Sequence, residues 1–485
     1  MKRLLLLGFT GSLLLCVGGL GIGAVPRDGD PIAAALGLSH LHTTYDGRIV
    51  ATALAIGGLA LLLAAWWALG RHLADLVPGA VTRAAALWSL PLLLSPPLFS
   101  RDVYAYLAQG DLVATGLDAY EVGPGVLSGP LEREVDEIWA HAVSPYGPVF
   151  LWLAGLVVRL TGEQLWTGVL GLRLLACAGL ALVAWGLPRL ARAYGGSPGR
   201  ALWLGLANPL VLMHGVGGAH NEALMLGLMV AGLAVVAGAP SSTRLVAGAV
   251  LVTLAALVKV PAALALPYLV LHPPADALAQ RARTALIALP AAAVTAAVVT
   301  AATGLGWGWV RALGSDPDTT PLSLLSPATG LGVGLGNTLE SLGVAADATQ
   351  TLDVVLALGV VAGALLAVLL LLWVHHLGAL RALGLSLLAI VVLGPIVQPW
   401  YLLWGLVVLA AVAGRRTAAT LGVVCLVVSL AVLPNGRSVV RPPFYGLTLI
   451  TAAGLGLLYF RRTTDDGVAV AEGVDDARRE RRVTP

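Results

Sequence analysis

The chain has 485 residues, of which 58% are hydrophobic and only 11% charged, and its net charge is +3. One soluble core does not need so many apolar runs, so the composition indicates an integral membrane protein. It excludes a disulfide framework, because the three cysteines lie singly in apolar segments. No basic stretch with interleaved aromatics indicates a nucleic-acid partner.

Apolar windows predict an all-α polytopic protein with about 14 transmembrane helices, which places both termini on one side. The first window has the basic start of a signal peptide but no small-x-small cleavage pattern, and we interpret it as a retained helix. The predicted helices lie near residues 4–24, 49–69, 84–99, 169–187, 201–216, 222–238, 245–258, 261–272, 285–302, 351–374, 382–397, 400–413, 418–433 and 444–460.

The arginines of the short loops set the orientation in the plasma membrane. With both termini in the cytoplasm, most of the 29 basic residues lie inside, Arg71, Arg189 and Arg415 among them. Most acidic residues then lie outside, so we expect the chemistry at the outer face. This topology requires residues 148–160, too short to span, to form an interfacial helix on that face.

We predict three regions along the chain. Residues 1–83 form two accessory membrane helices, residues 84–460 form the core, and residues 461–485 form a charged, disordered cytoplasmic tail. The core carries a large first outer loop, residues 100–168, with short interfacial helices. A second outer loop, residues 303–350, is rich in Gly, Pro, Ser and Asp and is expected to be irregular.

Arg101 and Asp102 open the first outer loop, directly after an apolar run. If this stretch is helical, Asp102, Tyr106 and Gln109 fall on one face. A partly buried carboxylate at a membrane edge has a raised pKa and can act as a general base. The alternative is that Arg101 and Asp102 are an ion pair that marks the helix end.

A second candidate lies at the outer end of a predicted helix hairpin, where His220 and Asn221 precede Glu222. Across a cavity from Asp102, Glu222 is able to position a substrate hydroxyl or to assist a metal. The alternative is that it serves only as a carboxylate that a helix N-terminus favours. No second ligand stands at metal-binding spacing from His220, so the sequence predicts no metal site.

Three cations are candidates for a phosphate group. Lys259 stands alone at a predicted helix break, where it either neutralises a phosphate or extends its amine to the interface. Arg437 and Arg441 suit phosphate recognition as a pair, and ordinary solvated loop charge is the alternative.

Aromatic residues at the outer face complete the set. Trp400 and Tyr401, after Gln398, either belong to an interfacial belt or stack on a sugar ring. Tyr146 begins a Tyr-Gly-Pro sequence that either shapes a cavity or only starts the interfacial helix. Tyr104, like Arg101, is a further candidate for substrate contact.

Five segments carry a resemblance to a known family. They are SRDVYAYLAQGDLVATGLDAYEVGPG at 100–125, SPYGPVFLWLAG at 144–155, NPLVLMHGVGGAHNEALMLGL at 208–228, LVKVPAALALP at 257–267 and QPWYLLW at 398–404. With these the chain resembles the actinobacterial polyprenol-phosphomannose-dependent α-1,6-mannosyltransferases, within the GT-C glycosyltransferases.

The resemblance implies a GT-C fold and inverting transfer of mannose from a polyprenyl phosphate to an α-1,6-mannan of the lipomannan or lipoarabinomannan type. It implies that Asp102 is the catalytic acidic residue of the first outer loop and that Glu222 is the second acidic position. Asp102 follows Arg101, whereas the commonest form of the motif has paired aspartates. We therefore expect no metal cofactor.

Two other functions remain open at this point. One is a GT-C transferase that moves a different polyprenyl-phosphate-linked sugar. The other is a polar-lipid transporter or flippase, which would place its polar site near mid-membrane between related halves. The only candidate break, at Lys259, has no partner in the other half, and this asymmetry favours an enzyme. The sequence leaves the oligomeric state open.

Overall fold

The structure, a computed structural model, describes residues 1–71, 77–238, 241–271, 278–312, 326–342 and 347–436. Within these ranges the regular structure is helical and no strand occurs, which confirms the predicted all-α class. Five described helices are long and apolar enough to cross a membrane, and a bent helix pair makes six if it is one span. The count of 14 crossings and the GT-C architecture stay predictions.

The helices follow the chain in three groups. The first group is α1 (Lys2–Ile22), α2 (Pro31–Ala35), α3 (His40–Thr43), α4 (Tyr45–Gly70), α5 (Pro78–Leu92), α6 (Asp102–Ala114), α7 (Glu137–Ala140) and α8 (Pro148–Thr161). The second is α9 (Leu165–Ala193), α10 (Pro198–Gly205), α11 (Pro209–Val211), a π-helix (Leu212–Gly217), α12 (Glu222–Val236), α13 (Ser242–Ala256), α14 (Ala265–Leu271), α15 (Leu278–Thr303) and α16 (Gly308–Ala312). The third is α17 (Pro327–Ser341), α18 (Ala348–Leu372), α19 (Val374–Leu377), α20 (Ala379–Val392), α21 (Leu403–Ala410) and α22 (Arg415–Ala431), and short 3-10 helices occupy Pro124–Val126, Glu132–Glu134 and Val260–Leu264.

The two N-terminal membrane helices pack closely on each other and on the rest of the protein. A Cβ atom on Gly11 of α1 would stand 2.6 Å from the Leu62 backbone nitrogen of α4, so glycine permits this approach. Trp66 of α4 stacks on Trp203 of α10 at 4.7 Å, and each indole N–H donates to the other's backbone carbonyl at 2.9 Å. The predicted boundary at residue 83 stays a prediction.

Several helix boundaries differ from the predicted ones for identifiable reasons. The helix predicted at 84–99 spans Pro78–Leu92, because Pro96 and Pro97 oppose helical continuation. The helix predicted at 201–216 is broken before Pro209 and continues as the π-helix. The helix predicted at 382–397 ends at Val392, ahead of Pro395.

The prediction of an irregular loop over 303–350 is wrong over Pro327–Ser341, which form α17. Ser326 caps α17, since its hydroxyl oxygen accepts from the Thr329 N–H at 3.3 Å. The predicted break at Lys259 is confirmed, because α13 ends at Ala256 and a 3-10 helix begins at Val260. The helix predicted at 444–460 lies outside the described residues.

Apolar side chains on the outside of the helices support the membrane assignment. In α18, Val354, Leu358 and Leu365 are each 59–61% exposed. A soluble protein rarely leaves such a long apolar helix face open to water, whereas lipid covers it at no cost.

Candidate active site

Asp102 is the first residue of α6, and its backbone N–H donates to the Ser100 hydroxyl oxygen at 3.3 Å. The prediction that this stretch is helical is confirmed. The Asp102 side chain is 18% exposed, although almost all of α6 around it is buried. It is therefore a carboxylate at the edge of the protein core that a solute can still reach.

His220, in the short loop before α12, lies beside Asp102. Its Nδ1 atom lies 3.6 Å from the Asp102 carboxylate and 3.3 Å from the Tyr106 hydroxyl, and its Nε2 atom lies 3.3 Å from the Ser100 hydroxyl. The imidazole stacks on Trp400 at 4.0 Å and is fully buried. These contacts fix the ring, and the Asp102 carboxylate packs beside it, just beyond hydrogen-bonding distance. Asp102 and Tyr106 meet one imidazole, as their predicted shared face requires.

Glu222, the first residue of α12, forms an ion pair with Lys259. Glu222 is 2% exposed and Lys259 is 12% exposed, so both charges are largely removed from water. The ammonium also lies 4.4 Å from the centre of the Tyr401 ring and 5.5 Å from the rings of Tyr146 and Trp404. Three electron-rich rings thus face a single cation.

Several buried polar atoms in this region have no hydrogen-bond partner among the described residues. Within the described residues, Oε2 of Glu222, both amide atoms of Asn221 and the Gln109 amide nitrogen have no partner. The Gln109 carbonyl oxygen accepts from the Ser144 hydroxyl at 3.0 Å. Buried polar atoms normally find partners, so orphaned ones are expected where a water or a substrate completes the site.

The environment of Asp102 raises the pKa of its carboxyl group to about 7. Burial is the largest cause, and the negative charge of Glu222 is the second. Lys259 and a hydrogen bond from Trp139 act in the opposite direction, and Asp136 adds to the rise. A carboxylate with a pKa near neutrality is well matched to accept a proton.

The first outer loop (residues 100–168) docks directly onto the chain that carries Lys259. The Gly147 N–H donates to the Val258 carbonyl at 3.2 Å, and the Val149 N–H donates to the Leu257 carbonyl at 3.0 Å. A Cβ atom at Gly147 would stand 2.1 Å from the Leu257 carbonyl oxygen, so this close approach needs glycine. The Tyr146–Pro148 turn thereby becomes a wall beside Lys259.

Arg173 of α9 is a supporting residue that the sequence reasoning missed. It is 1% exposed, and its guanidinium donates to the carbonyls of Val216, Gly217 and Leu93 at 2.8–3.1 Å. It therefore fixes the end of the π-helix that leads to His220. A lone arginine within an apolar helix is a signal that identifies such residues from sequence.

Other predicted site residues lie elsewhere. Arg101 pairs with Glu134 and lies over the Tyr104 ring at 4.8 Å, and the Tyr104 hydroxyl donates to the Ala24 carbonyl at 2.6 Å. Gln398 is half-buried before Trp400, and its backbone carbonyl accepts from the Tyr401 N–H. Arg437 and Arg441 lie outside the described residues.

Across the described ranges, no three His, Cys, Asp or Glu side chains are grouped so that they could hold a metal ion. The metal requirement stays a prediction.

Family models and known proteins both match this chain over most of its length. A family model described as "Alpha-(1->6)-mannopyranosyltransferase, N-terminal domain" matches residues 5–275, and one described as "MptB C-terminal domain" matches residues 328–462. A probable alpha-(1->6)-mannopyranosyltransferase of Mycolicibacterium smegmatis is 36% identical, over 90% of this chain and 84% of its own length.

Two further relatives agree. Alpha-(1->6)-mannopyranosyltransferase A of Mycobacterium tuberculosis is 37% identical, over 85% of this chain and 80% of the relative. Alpha-(1->6)-mannopyranosyltransferase B of Corynebacterium glutamicum is 31% identical, over 93% of this chain and 80% of the relative. The first family match, over residues 5–275, includes both Asp102 and Glu222.

Proposed function

The chain belongs to the alpha-(1->6)-mannopyranosyltransferase family, and from this premise we propose how it transfers mannose. The donor is polyprenyl phosphate mannose, and the acceptor is the α-1,6-mannan of an envelope glycolipid of the lipomannan or lipoarabinomannan type. Transfer occurs at the outer face of the plasma membrane, with both termini in the cytoplasm. Actinobacterial relatives that are mannosyltransferases support this proposal.

One arrangement carries the mechanism: Asp102 is an 18% exposed carboxylate at the start of α6, beside the buried His220 ring, and burial raises its pKa to about 7. Asp102 accepts the proton of an acceptor hydroxyl while that oxygen forms a bond to the anomeric carbon of mannose. The bond from that carbon to the phosphate oxygen breaks on the opposite face, and the electron pair leaves with the polyprenyl phosphate. The configuration at the anomeric carbon inverts.

Lys259 is the described cation best placed for the phosphate of the donor. Its ammonium is already held among three aromatic rings and retains 12% exposure. A positive charge fixed where negative charge develops on the leaving group lowers the barrier without reorganisation. Arg437 and Arg441 remain proposed as additional phosphate contacts at the outer rim.

Glu222 has two roles in this proposal. It holds the Lys259 ammonium in place, and its negative charge helps to keep the pKa of Asp102 near neutrality. Its free oxygen and the Asn221 amide supply hydrogen-bonding capacity for the hydroxyls of the donor mannose. The rings of Trp400 and Tyr401 are nearly perpendicular, and they stack on His220 and Trp404, so in this proposal they support the site and do not stack on the sugar ring.

The test is transfer by purified protein in lipid nanodiscs, with synthetic polyprenyl phosphate mannose and an α-1,6-linked mannoside. We expect an α-1,6-linked product, identified by NMR, with no product from GDP-mannose. Transfer from a different polyprenyl-linked sugar only would overturn the proposed donor. Movement of the labelled lipid between leaflets without any glycosidic bond would instead show a flippase.

A further inference from the structure

A cavity with a volume of about 330 Å³ lies on the side of α6 that carries Tyr104, opposite Asp102. Tyr104 of α6 lines it together with four segments: residues 26–31 of the α1–α4 linker, the 95–97 turn, the 130–134 stretch of the first outer loop, and residues 163–173 at the start of α9. Its size is at the lower end of ordinary small-molecule sites, about 300–1,000 Å³. In the predicted topology every lining segment lies at the outer end of the molecule.

The charged side chains that line this cavity disfavour an anionic ligand. Asp28, Asp30, Glu134 and Glu163 line it, whereas Arg173 is the one lining cation among the described residues. The Arg173 guanidinium is committed to three backbone carbonyls, so it does not offer its charge to a ligand. A polyprenyl phosphate would be repelled here, while a neutral polyol would find hydrogen-bond acceptors.

The rest of the lining suits a sugar ring. Trp166 is half-buried at the start of α9, and Pro26, Pro31 and Pro130 add rigid apolar surface. Aromatic and proline faces contact the C–H groups of a pyranose. Asp30 and Glu134 already accept from backbone N–H groups and Arg101, so the exposed carboxylates of Asp28 and Glu163 are the acceptors available to its hydroxyls. A lipid tail would instead need a continuous apolar lining, which these acidic residues interrupt.

The first outer loop runs from this cavity to Asp102. Glu134 lines the cavity and is held by Arg101, the residue before Asp102. Two residues further, Asp136 is near enough to raise the pKa of Asp102. The Trp139 side chain forms a hydrogen bond with the Asp102 carboxylate. Residues 134–139 of this loop thus connect the lining of the cavity with the surroundings of Asp102.

We propose that this cavity is a binding subsite for the acceptor glycan, which holds mannose units that precede the reacting one. This inference rests on the proposed function and adds the place where the acceptor chain binds. It also gives the N-terminal helices a part in substrate binding, because the α1–α4 linker forms one wall of the subsite.

The test compares acceptors that reach the cavity with acceptors that do not. We would measure transfer by Trp166→Ala and Glu163→Gln with a methyl α-mannoside and with an α-1,6-linked mannotetraoside. We expect KM for the tetraoside to rise about tenfold in Trp166→Ala, the size typical of losing one aromatic contact. KM for the monosaccharide acceptor and kcat should stay within about twofold, because Asp102 is unchanged.

Matched controls and a direct binding measurement complete the design. Trp152→Ala and Asp46→Asn change an exposed tryptophan and an exposed acid outside the cavity, and we expect neither to alter KM. Saturation-transfer NMR with α-1,6-mannotetraose and no donor should show binding to the wild type and weaker binding to Trp166→Ala. Absence of any wild-type transfer, with that binding difference intact, would sink the proposed reaction but keep the subsite.

Three results would overturn the subsite. The first is an equal change in KM for the short and long acceptors, and the second is unchanged binding of the mannotetraose by Trp166→Ala. The third is calcium binding that Glu163→Gln abolishes, together with no detectable binding of the mannotetraose to the wild type, which would make the acidic residues a cation site.

Discussion

We expect Lys259→Met to destabilise the protein by about 3–5 kcal/mol, the usual cost of removing one partner from a buried ion pair. Glu222 would keep its charge at 2% exposure, and one of its oxygens already lacks a partner within the described residues. Glu222→Gln should cost less, about 1–3 kcal/mol. Lys259 is more exposed than Glu222 and would retain Tyr401 at 4.4 Å, a contact worth about 0.5–2 kcal/mol.

The double variant measures the interaction itself. Because Glu222→Gln with Lys259→Met removes both charges together, we expect it to cost about 2–3 kcal/mol less than the sum of the single variants. The assay is equilibrium unfolding of the purified protein in mixed micelles, followed by tryptophan fluorescence and extrapolated to zero denaturant.

A surface pair supplies the matched control. Arg311 and Glu121 lie 3.8 Å apart with both side chains more than half exposed, so their coupling should be below about 1 kcal/mol. If the destabilisations of the two single variants at Glu222 and Lys259 sum to that of the double variant within about 0.5 kcal/mol, the reasoning is refuted, because independent sites add in that way.

Two further predictions concern rate and stability. Since Asp102 acts in its ionised form and its pKa is about 7, kcat/KM should rise about tenfold per pH unit below neutrality and level off above it. Initial rates for Glu222→Gln should show that midpoint at lower pH, because a negative neighbour is lost, and an unchanged midpoint would assign the titration to another group. Arg173→Met should lower the thermal midpoint and reduce transfer more than tenfold, because three buried carbonyls lose a charged donor, each hydrogen bond being worth about 1.5–3 kcal/mol. Arg189→Met, in the same helix but exposed, should change neither, and equal effects of the two variants would contradict the role of Arg173.

Local patterns in the sequence predicted the elements that form the site. The apolar runs located most membrane helices, and the helical period brought Asp102 and Tyr106 to one histidine. The same period argues against a contact of Tyr104 with the reacting groups at Asp102, because Tyr104 is two residues further and turns to the opposite side of α6. The structure places Tyr104 there, with its hydroxyl on Ala24.

The sequence patterns could not predict contacts between segments that are far apart in the chain. Glu222 and Lys259 are 37 residues apart, and no periodicity links a helix start to a helix break. The prediction of an irregular loop over 303–350 was wrong at α17. The glycine-rich composition suggested a loop, but packing against α18 stabilises a helix there. In both cases tertiary packing outweighs local propensity.

The most direct test of the central claim is mannose transfer by Asp102→Asn, an uncharged side chain of the same shape. The measurement is the initial rate from polyprenyl phosphate mannose to an α-1,6-linked mannoside, beside the wild type and the Asp46→Asn control. If Asp102 is the general base, the rate should fall about 10²–10⁴-fold while the fold and donor binding persist. Activity of Asp102→Asn within a few-fold of the wild type would contradict the account and leave Asp102 as a structural residue of the loop.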